Sequence, residues 1–170
     1  KVHKEFISPK SQLDHYLENN ASPEIIPYVS LQGKSFGEKY MEQIAKEHFK
    51  LEPRNTSTHD HIKCGKTIEQ KSARYHANGT DWKWQHIEMC HKWDILMLTG
   101  LDYKKIRFYI TTRPIVEKLI DKRVITGQGK KNDNGIAQPQ QAYWFSRSDF
   151  KTQDNEQFSN YFQEINTERD

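Results

Sequence analysis

The sequence predicts a mixed α/β domain of α+β character, on three observations. Helix-period and strand-like runs alternate in the order helix, strand hairpin, helix, strand pair, helices. The 170 residues suffice for one domain with a sizeable core rather than two. Only 34% of residues are hydrophobic but 12% are aromatic, so a thin, aromatic-rich core is expected rather than a disordered chain.

The elements follow in order. Lys10–Asn19 reads as a short helix, with a turn at Asn20–Pro23 and an irregular stretch to Gly33. From Ser35 to Phe49 the positions Phe36, Tyr40, Met41, Ile44, Ala45 and His48 keep helical spacing. Ser35 reads as its N-cap, with Glu38 three residues on completing a capping box. Pro53 closes the linker after it. His59–Lys63 and Lys66–Tyr75 are strand-like runs around Cys64–Gly65, a hairpin pattern. His76–Asp81 is a loop, and Asp81–Lys92 reads as a helix with Asp81 as N-cap and Trp82, Trp84, Ile87 and Met89 packing inward. Trp93–Leu101 and Lys105–Thr111 read as strands joined near Asp102–Lys104. Pro114 opens a helix to about Lys122, and Thr126–Gln141 is a polar loop. Gln141–Phe145 is expected as a last strand and Asn155–Ile165 as a last helix.

Composition excludes several classes. No stretch approaches the roughly 20 apolar residues of a membrane span, and no leader is visible, so a cytoplasmic, intracellular protein is expected. Cys64 and Cys90 are too few for a disulfide framework and read as free thiols. They and His59, His61, His86 and His91 have no recognised zinc spacing. Gly127–Lys131 lacks the spacing of a phosphate-binding loop, and no G-x-S-x-G elbow is present. Charge is uneven: Lys104–Lys131 carries nine Lys/Arg against two acids, and Asp149–Asp170 six acids against two bases. A basic middle with an acidic tail suits a polyanion partner, although an ordinary solvated charge pattern reads the same way.

The hairpin carries the chemistry. A two-residue turn at Cys64–Gly65 pairs Lys63 with Lys66, Ile62 with Thr67 and His61 with Ile68. Asp60 then falls opposite Glu69, and Lys71, two residues on, shares that face. Facing carboxylates repel unless positive charge lies between them, and a hard divalent cation supplies it better than Lys71 alone. A one-residue slip would part the two acids. Taken alone, the same triple also describes a surface hairpin with a Glu–Lys pair.

Asp60–(x8)–Glu69–Gln70–Lys71 resembles the PD-(D/E)xK nuclease superfamily, of restriction-endonuclease-like fold. IEQKSARY at 68–75 looks like the second-strand motif of type II restriction endonucleases, and WDILMLTGLDYKKIRFYI at 93–110 like their supporting strands. The resemblance covers about half the chain, and His59 stands where the motif has Pro. It implies a central mixed sheet flanked by helices, with 1–33 an extension, 35–111 the catalytic core and 112–170 the recognition and C-terminal elements. It implies Asp60, Glu69 and the Gln70 carbonyl as Mg²⁺ ligands, Mn²⁺ substituting, and Lys71 as the catalytic lysine. A first-helix Glu often joins such sites. Glu38 and Glu42 are the candidates, and Glu42 is favoured because Glu38 has the capping role.

The expected substrate is double-stranded DNA, cut at a specific sequence by a metal-activated water, with a homodimer suited to a palindromic site. Lys130 and Lys131 are expected on phosphates. Asn132, Asn134, Gln138, Gln140 and Gln141 carry amides able to pair with adenine, and Arg74, Arg113 and Gln85 are further DNA contacts. The rival readings are a structure-specific repair, recombination or phage nuclease, a catalytically silent DNA-binding domain, and an interaction protein without a nucleic acid partner.

Overall fold

A computed structural model describes residues 11–76, 79–128, 142–150 and 157–165. The fold is mixed α+β, built on a mixed sheet with several helices. Helix α1 (Gln12–Glu18) starts on a capping box between Ser11 and Asp14, and a single turn, α2 (Ile26–Val29), follows. A π-helical segment, Ser35–Met41, runs directly into α3 (Glu42–Phe49). The expected Ser35–Glu38 capping box does not form: Lys34, not Ser35, stands at the N-cap position, and no side chain caps the segment. Lys50, at φ 54°, ends α3 in the left-handed conformation.

The hairpin has the register read from the sequence. Strands β2 (His61–Lys63) and β3 (Lys66–Arg74) pair His61 with Ile68, Ile62 with Thr67 and Lys63 with Lys66. Cys64 (φ 51°) and Gly65 (φ 75°) are both left-handed, as a two-residue turn with primed geometry requires. Strands β1 (Glu52–Pro53), β5 (Ile95–Leu101), β6 (Ile106–Thr112) and β9 (Gln163–Ile165) complete a six-stranded sheet in the order β1-β2-β3-β5-β6-β9. β3 and β5 are parallel; the other neighbours are antiparallel.

The segment between β3 and β5 departs from the expected helix. Asp81–Lys92 holds a strand, β4 (Lys83–Ile87), which joins β7 (Thr126–Gly127) and β8 (Tyr143–Ser146) in a second, three-stranded sheet. The reason is a period of two: Trp82 and Trp84 are fully buried while Lys83 and Gln85 are not. His86, at φ 59°, then shifts the register so that Ile87 also turns inward. Helix α4 (Arg113–Asp121) opens with Pro114, as expected. The expected last helix is a single turn, α5 (Phe158–Tyr161), followed by strand β9 on the edge of β6.

Two apolar clusters cover the large sheet. One joins Ala45, Phe49, Leu51, Ile68, Met97 and Phe108 under α3. The other fills the space to the small sheet with Trp82, Trp84, Leu96, Leu98, Phe145, Phe158 and Phe162 among others. Alternation along β5 explains the division: Leu96 and Leu98 face one way, Met97 the other. Trp84 and Trp82 also donate their indole N–H groups to the carbonyls of Thr99 (3.0 Å) and Leu101 (3.3 Å), so their polar atoms are satisfied inside the core. Among the described residues, no helix is long and apolar enough to cross a membrane.

Candidate active site

The site forms where β2 leaves β3. The Asp60 N–H still donates to the Ile68 carbonyl at 2.8 Å, extending the ladder by one bond. The Asp60 carboxylate then supplies the next partner, accepting the Gln70 N–H at 2.8 Å. This fixes the carboxylate against the first residues of β3 that β2 no longer covers. Alternation along β3 sends Glu69 and Lys71 to one face and Gln70 to the other. Lys71 Nζ lies 3.6 Å from Glu69 Oε1.

Gln70 shows what holds that strand in place. Its amide nitrogen donates to the Met41 carbonyl (3.1 Å) and to Thr99 Oγ1 (2.9 Å), which orients the amide. Its oxygen therefore accepts from His61 Nε2 at 2.7 Å. A buried polar bridge thus ties β3 to the π segment, β5 and β2. Burial holds the His61 ring below its ordinary pKa, the Gln70 bond offsetting it in part, and so favours the neutral ring. His61 Nδ1 and His59 Nε2 are buried with no hydrogen-bond partner among the described residues.

Glu42 reaches the same place from the start of α3. It lines one cleft with Asp60 and Glu69, and Asp60 is the carboxyl group that acts most strongly on both glutamates. Asp60 is therefore the middle member of a row of three carboxyl groups. Glu38, one turn earlier, is exposed and influences Glu42 only through its charge. Of the two first-helix candidates, Glu42 is the one in contact with the hairpin acids.

Three neighbouring carboxyl groups, Glu69 buried and Glu42 and Asp60 partly buried, cannot all ionise without cost. Burial, then the Asp60 contact, push Glu42 and Glu69 up to about 9. Burial would also raise Asp60, but contacts with Glu69 and Glu42, the Gln70 N–H and the Lys71 charge outweigh it and hold Asp60 below its ordinary value. Both upward shifts favour the protonated forms of Glu42 and Glu69, beside an Asp60 held towards its ionised form. The all-oxygen donor set and its excess of acid fit a hard divalent cation, which would displace those protons.

These groups line a cleft of about 550 Å³ whose other wall is the small sheet. Gly37, Glu38 and Glu42 border it from the helix, Glu69, Lys71 and Ser72 from β3, and Lys83, Gln85 and His86 from β4. Gln85, expected as a DNA contact, lies on this wall of the cleft. Lys83 and His86 are functional candidates that the expected helix over Asp81–Lys92 does not single out; the strand Lys83–Ile87 brings them here. Lys83 Nζ sits 3.6 Å from the Trp144 ring centre, which positions its charge. The left-handed backbone at His86 is braced by Gln128, whose Oε1 accepts the His86 N–H at 2.9 Å.

The expected DNA contacts divide three ways. Arg74 donates to the carbonyls of Tyr28, Val29 and Leu31, with its guanidinium 4.5 Å from the Phe36 ring centre. Arg113 donates to the carbonyls of Met89, His91 and Trp93. Both guanidinium groups are engaged in holding the chain's own loops. Lys130, Lys131, Asn132, Asn134, Gln138, Gln140 and Gln141 lie outside the described residues. No family model, no curated protein and no solved structure matches the chain.

Proposed function

We propose that the chain is a Mg²⁺-dependent endonuclease of restriction-endonuclease-like fold, hydrolysing phosphodiester bonds of double-stranded DNA at a specific sequence. The observation that carries this reading is the row Glu42–Asp60–Glu69 with Lys71 beside it, on the wall of an open cleft. Asp60 and Glu69 would hold the ion, with the Gln70 main-chain carbonyl and Glu42 completing the protein's share. A bound Mg²⁺ polarises a phosphoryl oxygen and lowers the pKa of a coordinated water.

The chain's own groups do the rest. Lys71 Nζ, within 3.6 Å of Glu69, is placed to orient the attacking water and to stabilise the charge developing on the phosphate. Lys83, on the opposite wall, offers a second cation for the DNA backbone. Gln85, beside it, can hydrogen-bond water or a base edge. The Gln70–His61–Thr99 bridge holds the acid-bearing strand rigid, so that the carboxylates keep their spacing as charge changes.

The test is digestion of a long defined duplex with Mg²⁺, with Mn²⁺ and with EDTA, alongside the Lys71→Ala and Glu69→Gln variants. Discrete metal-dependent fragments are expected, with Lys71→Ala slowing cleavage by about 10²–10⁴-fold. Cutting confined to branched or single-stranded DNA would replace sequence recognition by structure recognition. DNA binding without cleavage under any metal would sink the catalytic assignment.

A further inference from the structure

The turn between β4 and β5 brings three different metal-ligating side chains together. One ligand atom each from Glu88, Cys90 and His91 lies within 4.8 Å of the other two. Glu88 Oε2 and His91 Nδ1 are 2.9 Å apart. Cys90 is a free, exposed thiol. These histidine and cysteine positions have no zinc spacing in the sequence, because the third ligand is a carboxylate and all three come from one four-residue turn.

The turn is held from behind. The Trp93 indole N–H donates to the Glu88 carbonyl at 3.0 Å. The Arg113 guanidinium donates to the carbonyls of Met89, His91 (2.7 Å) and Trp93 (3.3 Å), with its carbon 4.8 Å from the Trp93 ring centre. Four carbonyl anchors, at Glu88, Met89, His91 and Trp93, therefore hold the backbone on and beside which the ligands stand. An ion arriving there needs little further ordering of the chain. The Glu88–His91 pair it would displace is partly solvent-exposed, a kind of contact that contributes little to stability.

We propose that Glu88, Cys90 and His91 form a second metal site, for a Zn²⁺-class ion, with a fourth position open to water or an incoming ligand. Sulfur, nitrogen and carboxylate donors select borderline metals over Mg²⁺, and three protein ligands are the number that leaves a zinc ion one open position. The site is chemically distinct from the all-oxygen carboxylate row. The binding itself does not depend on the nuclease reading.

The experiment uses Co²⁺ as a spectroscopic probe on the whole reduced chain, with Mg²⁺ in excess to occupy the carboxylate row. Wild type is expected to take up one equivalent with a thiolate-to-cobalt charge-transfer band, bleached by one equivalent of Zn²⁺. Cys64→Ser should keep the band, Cys90→Ser should lose it, and His91→Ala or Glu88→Gln should shift or weaken it. Circular dichroism checks that each variant is folded. Wild type without a thiolate band, or a band that survives Cys90→Ser, would overturn the site. Neither result requires DNA cleavage, so this inference and the nuclease reading fail separately.

Discussion

Asp60 connects the stability of this protein to its chemistry at the scale of single residues. It is the acceptor for the Gln70 N–H and the common partner of Glu42 and Glu69. Glu42 and Glu69 are raised above their unfolded values, so the stability they contribute is full below the ordinary carboxylate range and is lost as pH rises towards about 9. Asp60 is lowered and acts in the opposite sense, losing its contribution as pH falls through its folded value. Thermal unfolding of the metal-free protein should therefore show a fall in stability between about pH 5 and about pH 9. Asp60→Asn should flatten that fall by removing the charge that Glu42 and Glu69 face, while abolishing metal-dependent cleavage. An unchanged slope in this variant would separate the two glutamates from Asp60. Ion binding must displace the shared protons, so calorimetry in buffers of different ionisation enthalpy should record proton release on adding Mg²⁺, with affinity rising as pH rises.

At the scale of elements, the hairpin and β4 form opposite walls of the cleft, and each depends on one unusual backbone feature. The hairpin depends on the left-handed pair Cys64–Gly65, which sets the register and with it the face shared by Glu69 and Lys71. β4 depends on Gly100 of β5: a Cβ there would stand 2.5 Å from Trp82 Cε2. Only a bare backbone lets the indole lie against the strand. Gly100→Ala should destabilise the fold by about 1–3 kcal/mol, read by urea denaturation. A neutral result would mean that Trp82 can move without disturbing the second sheet.

Over the whole molecule, the two sheets share an aromatic core. Trp84 stacks on Phe158 at 5.7 Å, Phe158 on Phe162 at 4.8 Å, and Phe145 on Phe162 at 5.4 Å. Residues from β4, β8 and the segment around α5 thus pack on one another and on β5. This continuity predicts one cooperative unfolding transition, with near- and far-ultraviolet circular dichroism changing together. An early loss of the near-ultraviolet signal would show the small sheet melting by itself. Mg²⁺ at about 100 times its dissociation constant should raise stability by about 2.7 kcal/mol in wild type and not in Asp60→Asn.

The hairpin is legible in the letters alone, because a two-residue turn leaves one register and alternation then assigns every face. From that followed the grouping of Asp60, Glu69 and Lys71 on one cleft wall, and helical spacing placed Glu42 on the element above them. What the letters could not decide were matters of long-range contact. Trp82 and Trp84 suit a helix or a strand over so short a run, and only pairing with β8 makes them a strand. Gln163–Ile165 becomes an edge strand because β6 offers an open edge there. Arg74 and Arg113 carry the charge of DNA contacts, but the loops folded around them direct that charge to main-chain carbonyls. Lys83 and His86 reached the cleft by the same route: their place depends on a sheet whose partner strand lies some sixty residues away in the chain, and no local pattern encodes that pairing.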